Sequence, residues 1–197
     1  VLYPIKPLFN FLFIIFAFAL MNIKTGSFNF ENFSSITNID KQFADIIFLL
    51  AFIGFGTKAG FVPFHNWLPD AHPSAPSHIS GIMSGVMIKT GIYGILRMVC
   101  LFGTDSKFIA YTILIVSIIS ALWGVLYAIN QHDIKRLLAY SSIENIGIIG
   151  IGLGIGLLGL TYQNNFMAVF GFSGAIFHIL NHSIFKELLF FSAGNVY

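Results

Sequence analysis

The sequence has 197 residues, of which 56% are hydrophobic, 16% are aromatic and only 9% are charged. Soluble domains carry about 25% charged residues, so this composition, with a mean hydropathy of +0.84, indicates a membrane protein. The net charge of +2, without any basic run, excludes nucleic acid as a partner, and the single Cys100 excludes disulfides and cysteine-bound clusters. We predict no cofactor. Because the sequence opens on Val1 and stops just after an apolar run, we expect it to be an internal piece of a longer membrane protein.

Six apolar stretches approach the length of about 20 residues that a bilayer-spanning helix needs. They cover residues 6–22, 43–64, 78–101, 108–130, 137–160 and 166–193. The segments between them are polar and rich in turn-forming residues, and the alternating pattern of barrel strands is absent. The sequence therefore predicts an all-α fold, a polytopic transmembrane helix bundle of about six spans that forms one domain over residues 1–197.

Small residues recur in the third and fifth predicted spans. The segments "GIMSG" (residues 81–85) and "GIIGIGLGIGLLG" (residues 147–159) place glycines about one helical turn apart. In membranes such spacing lets neighbouring helices approach closely, so we predict tight helix packing at both segments.

Ionisable side chains inside the predicted spans are the strongest functional signal. These are Lys58, Lys89, Glu144, Lys186 and Glu187. A lysine at the centre of a spanning helix costs about 2.5–3.5 kcal/mol, so each lysine must be paired, hydrated or neutral for part of the time. A lysine that alternates between an apolar setting and a nearby carboxylate can take up and release protons. The alternative, in which the ammonium extends to the lipid headgroups, does not suit Lys89, about eleven residues into its span.

Pro63 follows Lys58 within the same apolar stretch. A proline there cannot donate a hydrogen bond to the carbonyl of Ala59, so the helix must bend or break. Broken helices persist in membranes only where protein or a water-filled cavity satisfies the freed backbone groups. We therefore predict a helix break near Pro63 beside a lysine on an ion path.

The last span carries His178, His182 and Lys186 at positions i, i+4 and i+8. This spacing places the three side chains on one face of a helix. Histidine exchanges protons near neutral pH, which suits a proton relay, although a single histidine in a span is more often a buried side chain bonded to a backbone carbonyl. The spacing of His65, His72 and His78 matches no familiar metal site, so we predict no metal site.

Three segments, taken together, resemble one known family. They are "TKAGFVPFHNWLPDAHPSAPSHISGIMSGVMIKTGIYGILR", "HDIKRLLAYSSIENIG" and "NHSIFKELLFFSAG". They resemble the antiporter-like membrane subunits, a family that covers the proton-pumping subunits of complex I, the Mrp antiporters and the membrane subunit of formate hydrogenlyase-type hydrogenases. The resemblance covers residues 43–197, and Glu144 with its surrounding motif favours the hydrogenase branch.

The resemblance implies a bundle of roughly fourteen helices with two inverted repeats, each containing a broken helix that carries a lysine. It implies helix breaks near Pro63 and around His182–Lys186. Lys58 corresponds to the lysine of the first repeat, Lys89 to the connecting lysine and Lys186 to the lysine of the second repeat, preceded by His178 and His182. The carboxylate partner of Lys58 and the exit residue of the family lie outside this sequence.

The combined prediction is a proton-translocating subunit of a membrane-bound hydrogenase or NADH:quinone oxidoreductase-type complex. Its relay residues are Lys58, Lys89, Glu144, His178, His182 and Lys186, and the redox centres lie in other subunits. The predicted partners are membrane and peripheral subunits, the lipid bilayer and protons, and the predicted location is a prokaryotic cytoplasmic membrane. Two alternatives remain open, an Mrp-like sodium/proton antiporter subunit and a non-conducting scaffold that anchors a redox arm.

Overall fold

The computed structural model describes residues 5–34, 40–102 and 106–196, and these residues form helices and short connections. The helices are α1 (Ile5–Thr25), α2 (Phe30–Ser34), α3 (Lys41–Ala59), α4 (Leu68–Ser74), α5 (Ser77–Ile82), α6 (Ile88–Phe102), α7 (Lys107–Ile129), α8 (Ile134–Thr161) and α9 (Asn165–Val196). A 3₁₀ turn, Phe64–Trp67, precedes α4, and a π turn, Met83–Met87, joins α5 to α6.

Five helical segments of the described residues are long and apolar enough to cross a membrane. They are Lys41–Ser74, Ser77–Phe102, Lys107–Ile129, Ile134–Thr161 and Asn165–Val196. The first predicted stretch, residues 6–22, is also helical and lies in α1. Its described apolar segment, Phe11–Thr25, is shorter than the five spanning segments. The prediction of an all-α polytopic helix bundle is therefore confirmed.

The predicted helix break near Pro63 is confirmed, and it begins three residues earlier, at Gly60. This glycine has a φ of +94° and ends α3, a left-handed conformation that glycine adopts without steric cost. Two side chains satisfy backbone groups around the break: Ser120 of α7 accepts from the amide of Val62 at 3.0 Å, and the indole of Trp67 donates to the carbonyl of Thr57 at 2.8 Å. The break is thus held by hydrogen bonds within the protein.

The second predicted break, around His182–Lys186, is wrong. Helix α9 runs without interruption from Asn165 to Val196. A break in α9 is not required to supply a hydrogen-bond acceptor for Lys186, because its ammonium donates to a backbone carbonyl of the neighbouring helix α8. The irregular backbone lies instead in the π turn between α5 and α6. There the backbone is wound more widely than in an α-helix, as is frequent at functional sites.

Glycines allow α8 to approach α7 and α9 closely. A Cβ on Gly147 would lie 2.7 Å from the carbonyl oxygen of Ser117 in α7, and a Cβ on Gly171 in α9 would lie 2.7 Å from Cα of Gly156 in α8. Because the opposing atoms belong to the backbone, only glycine fits at these positions. The tight packing predicted from the glycine-rich segment is therefore present, and α8 lies at the centre of the bundle.

Candidate functional site: a buried lysine and histidine cluster

The face of α9 that carries His178, His182 and Lys186 turns towards α8. His182 and Lys186 are fully buried, each with 0% of its surface exposed, and His178 is half-buried. The rings of the two histidines lie nearly parallel, with centroids 6.3 Å apart. The i, i+4, i+8 spacing thus places three groups that can carry protons in one row inside the bundle.

Lys186 is held by a backbone oxygen of α8. Its ammonium Nζ donates to the carbonyl of Leu138 at 2.8 Å. Glu144, half-buried and nearly two turns further along α8, acts electrostatically on this lysine. A buried ammonium held by a neutral carbonyl beside a carboxylate has support for its charged form, without a direct ion pair.

Lys89 is held in a similar way at the start of α6. Its Nζ donates to the carbonyl of Ser84, inside the π turn, and its side chain is half-buried. The carboxylate of Glu187 in α9 acts electrostatically on Lys89 and lies directly over Gly85, where a side chain would displace it. The two lysines therefore share one pattern, a backbone carbonyl as hydrogen-bond acceptor and a carboxylate nearby.

His178 is tied to α8 through Asn145. Its Nε2 lies 2.8 Å from Oδ1 of Asn145, and the amide nitrogen of Asn145 donates to the carbonyl of Ser141 at 2.7 Å. Because an amide oxygen only accepts, Nε2 of His178 carries a proton, which leaves Nδ1 as its exchangeable position.

His182 is within electrostatic range of other groups of the cluster. Lys89, Lys186 and His178 all act on it electrostatically. Within the described part of the chain, neither of its ring nitrogens has a hydrogen-bond partner. His182 is thus a buried histidine within electrostatic range of both lysines of the cluster.

The structure does not bring Lys58 into this cluster. Lys58 lies in the last turn of α3 and is exposed, whereas its neighbours Thr57 and Ala59 are buried. The cluster thus contains five of the six predicted relay residues, and the sixth, Lys58, is exposed at the end of α3.

Sequence reasoning missed Asn145 and His72. Asn145 directly follows Glu144 inside an apolar span. Two adjacent polar residues in such a span are the sequence feature that could have indicated Asn145 as a site residue. His72 is fully buried, stacks on Phe190 with ring centroids 4.7 Å apart, and is acted on by Lys186. No local pattern distinguishes it from the exposed His78 in the same proline-rich segment.

Comparison with known proteins places the chain in a family. The model of the family described as NADH:quinone oxidoreductase/Mrp antiporter, transmembrane, matches residues 2–197. The chain is 48% identical over 186 residues to Hydrogenase-4 component B of Escherichia coli (strain K12), a match that covers 93% of this chain. It is 42% identical over 151 residues to Formate hydrogenlyase subunit 3 of the same strain, covering 77% of this chain. The structure of the Mrp complex from Dietzia sp. DQ12-45-1b matches with a TM-score of 0.83 at 26% identity, covering 98% of this chain and 34% of the matched chain.

The apolar helices and the family match define an antiporter-like, integral, multi-pass membrane subunit. The chain belongs to the NADH:quinone oxidoreductase/Mrp antiporter transmembrane family, and the resemblance predicted from its motifs is confirmed. The chain spans 28% of the length of Hydrogenase-4 component B and 25% of that of Formate hydrogenlyase subunit 3.

Proposed function

We propose that this chain carries part of a proton path across the membrane, in a subunit of a membrane-bound hydrogenase or NADH:quinone oxidoreductase-type complex. Electron transfer takes place in partner subunits, and the parent protein lies in a prokaryotic cytoplasmic membrane. Relatives whose names identify them as a hydrogenase component and a formate hydrogenlyase subunit support this setting.

One observation carries the proposal: Lys89 and Lys186 each donate to a backbone carbonyl and lie within electrostatic range of a carboxylate and of His182. Charged side chains at bilayer depth are costly, about 2.5–3.5 kcal/mol for each lysine at a helix centre. A paired arrangement that spans three helix segments lowers this cost and lets a proton move between sites. A purely structural anchor for a redox arm has no use for such groups.

The proposed path starts at Lys58, which exchanges a proton with a carboxylate outside this sequence. The proton then passes through water to Lys89, which Glu187 stabilises in its charged form. It then reaches Lys186, either directly or through His178 and His182. Glu144 stabilises the charge on arrival. Each step transfers one proton and no electron. Redox chemistry in a partner subunit can therefore drive proton transfer only by changing the protonation of these lysines and histidines.

Sodium/proton antiport is the second candidate function. The Mrp complex of Dietzia matches nearly the whole chain in fold, and Na(+)/H(+) antiporter subunit A1 of Staphylococcus epidermidis (strain ATCC 12228 / FDA PCI 1200) is 37% identical over 182 residues. In that case sodium ions occupy the same polar cluster during the cycle. Proton uptake that depends on sodium in the opposite compartment distinguishes antiport from redox-driven pumping.

The test uses the full-length parent protein in its complex, reconstituted in liposomes, with redox turnover and proton uptake measured together. Lys186→Met removes the buried charge and keeps the volume of the side chain. Lys58→Ala tests the exposed lysine of the same path. Lys107→Ala is the matched control, since Lys107 lies at a helix start with its ammonium 4.6 Å from the ring centroid of Tyr162, away from the cluster.

We expect Lys186→Met and Lys58→Ala to abolish or sharply reduce proton uptake in complexes that still assemble. Lys107→Ala should leave uptake at the wild-type level. Normal uptake in the Lys186→Met complex would remove Lys186 from the path and leave the scaffold role as the better account of the chain.

A further inference from the structure

Two serines join the π turn to α8 at the centre of the cluster. The hydroxyl oxygens of Ser84 and Ser142 are 2.7 Å apart, and both residues are fully buried. They are 58 positions apart in the sequence, so the contact depends on the packing of two different spans. Neither serine belongs to the relay predicted from the sequence.

The direction of this hydrogen bond follows from counting protons. Ser142 donates its single hydroxyl proton to the carbonyl of Leu138 at 2.8 Å. It therefore has no second proton for Ser84, and the hydroxyl of Ser84 must donate to Ser142. The two hydroxyls form an ordered row that runs from Ser84 through Ser142 towards the oxygen of Leu138.

Each end of the row lies at a residue that binds one of the two lysines of the cluster. The oxygen of Leu138 that accepts from Ser142 also accepts from Nζ of Lys186. At the other end, the ammonium of Lys89 is bound to the backbone carbonyl of Ser84, the residue whose hydroxyl starts the row. The described hydrogen bonds thus link Lys186, through the Leu138 oxygen, to the two serine hydroxyls, and link Lys89 to the backbone of Ser84.

We propose that Ser84 and Ser142 form a hydroxyl bridge that passes protons from Lys89 to Lys186, which deepens the function proposed above and rests on it. The ammonium of Lys89 turns from the backbone carbonyl of Ser84 to the hydroxyl of the same residue and gives one proton to Oγ. Ser84 gives its own hydroxyl proton to Oγ of Ser142. Ser142 turns its hydroxyl from the Leu138 oxygen to the neutral amine of Lys186 and gives its proton there. Each serine gains one proton and loses one, and one positive charge moves from Lys89 to Lys186.

The bridge carries one proton at a time. After one passage the hydroxyl of Ser142 points back towards Ser84, so both hydroxyls must rotate before the next proton can follow in the same direction. His182 offers a second route between the lysines, and a structural role as helix-to-helix hydrogen bond is the other account of the pair. These accounts make different predictions for single and double variants.

The experiment measures proton uptake and redox turnover of the full parent complex in liposomes, with Ser84→Ala, Ser142→Ala and the double variant. Ser80→Ala is the matched control: Ser80 lies one turn before Ser84, is fully buried, and donates to the carbonyl of His72 at 2.9 Å. Positioned proton carriers commonly contribute about 10²–10⁴-fold to a rate. With His182 as a parallel route, we expect each alanine variant to slow uptake by about tenfold or more.

The double variant separates a bridge from a packing contact. If both serines serve one transfer, the double variant is no slower than either single variant, because the route is already interrupted. The slowed uptake should also show an altered solvent isotope effect, and Ser84→Thr, which restores a hydroxyl, should recover most of the rate. Ser80→Ala should transport protons like the wild type.

Wild-type uptake in Ser84→Ala and Ser142→Ala, or equal losses in these variants and Ser80→Ala, would overturn the hydroxyl bridge. Lys186→Met, measured in parallel, separates the two proposals: if it stops uptake while the serine variants do not, only the bridge is wrong. If Lys186→Met also transports normally, the proposed function fails. If the alanine variants do not assemble, Ser84→Cys and Ser142→Cys take their place. A thiol is similar in size to a hydroxyl but is a weaker hydrogen-bond donor, so the bridge requires slow proton uptake in both cysteine variants.

Discussion

The carboxylate of Glu187 occupies the space that Gly85 leaves by having no side chain. A Cβ on Gly85 would lie 2.6 Å from Oε1 of Glu187 and 2.7 Å from its Cγ. The glycine of the π turn thus makes room for a carboxylate of α9 beside Lys89. The same backbone turn supplies both the carbonyl that binds the ammonium and the gap that receives its countercharge.

We expect Gly85→Ala to impair proton transfer more than stability. The added methyl group displaces the flexible end of Glu187, which can move at small energetic cost, yet the carboxylate then leaves the neighbourhood of Lys89. Proton uptake of the reconstituted complex should fall several-fold, with a thermal unfolding midpoint within a few degrees of the wild type. Glu187→Gln should lower uptake similarly. Unchanged uptake in both variants would mean that Glu187 does not serve Lys89.

A second prediction concerns the contact between α8 and α9. Gly171→Ala places a methyl group against the backbone of Gly156, which cannot yield without moving a helix. We expect a loss of about 1–3 kcal/mol in the free energy of unfolding, the usual cost of overpacking. Gly174→Ala, one turn later on α9 with nothing within 4 Å of its Cβ, is the matched control. It should be neutral or stabilising by up to about 1 kcal/mol. Denaturant unfolding in detergent measures both, and equal effects would contradict the backbone contact.

The third prediction tests the support of His178. Asn145→Leu keeps a side chain of similar size but removes the oxygen that accepts from Nε2 of His178. An unsatisfied buried donor costs about 1–3 kcal/mol, and because His178 is half-buried the free energy of unfolding should fall by about 1 kcal/mol, the lower end of that range. Asn145→Asp retains an acceptor and should keep the ring in place. Ring orientation is read from the histidine signals in NMR spectra, and an unchanged His178 signal in Asn145→Leu would contradict the assignment.

The fourth prediction concerns the helix break. Gly60→Ala combines a strained positive φ with a collision between its methyl group and the side chain of Leu68. Gly26→Ala carries a similar strain, at a φ of +68°, with no atom within 4 Å of the added methyl group. The strain alone costs about 1–2 kcal/mol, so Gly60→Ala should destabilise the protein by more than Gly26→Ala. Thermal unfolding of the two variants gives the difference, and equal midpoints would show that Leu68 yields freely.

Local features of the fold were open to prediction from the sequence. The long apolar stretches predict spanning helices because a bilayer admits no unsatisfied backbone groups, and the proline predicts the break near Pro63 because it lacks an amide proton. The row of His178, His182 and Lys186 follows from helical spacing alone. Each of these inferences depends on residues within a few turns of one another.

The identity of the partners was decided only by the tertiary structure. Lys186 binds a carbonyl 48 positions away, and Ser84 meets Ser142 across 58 positions, contacts that depend on which helices pack together and at what rotation. The same packing leaves Lys58 exposed and keeps α9 unbroken. The sequence by itself determined that charges lie at membrane depth, because composition and helical period are local properties. The assembled bundle determines which acceptor each charged side chain binds, because the hydrogen bond requires two distant segments to approach within about 3 Å.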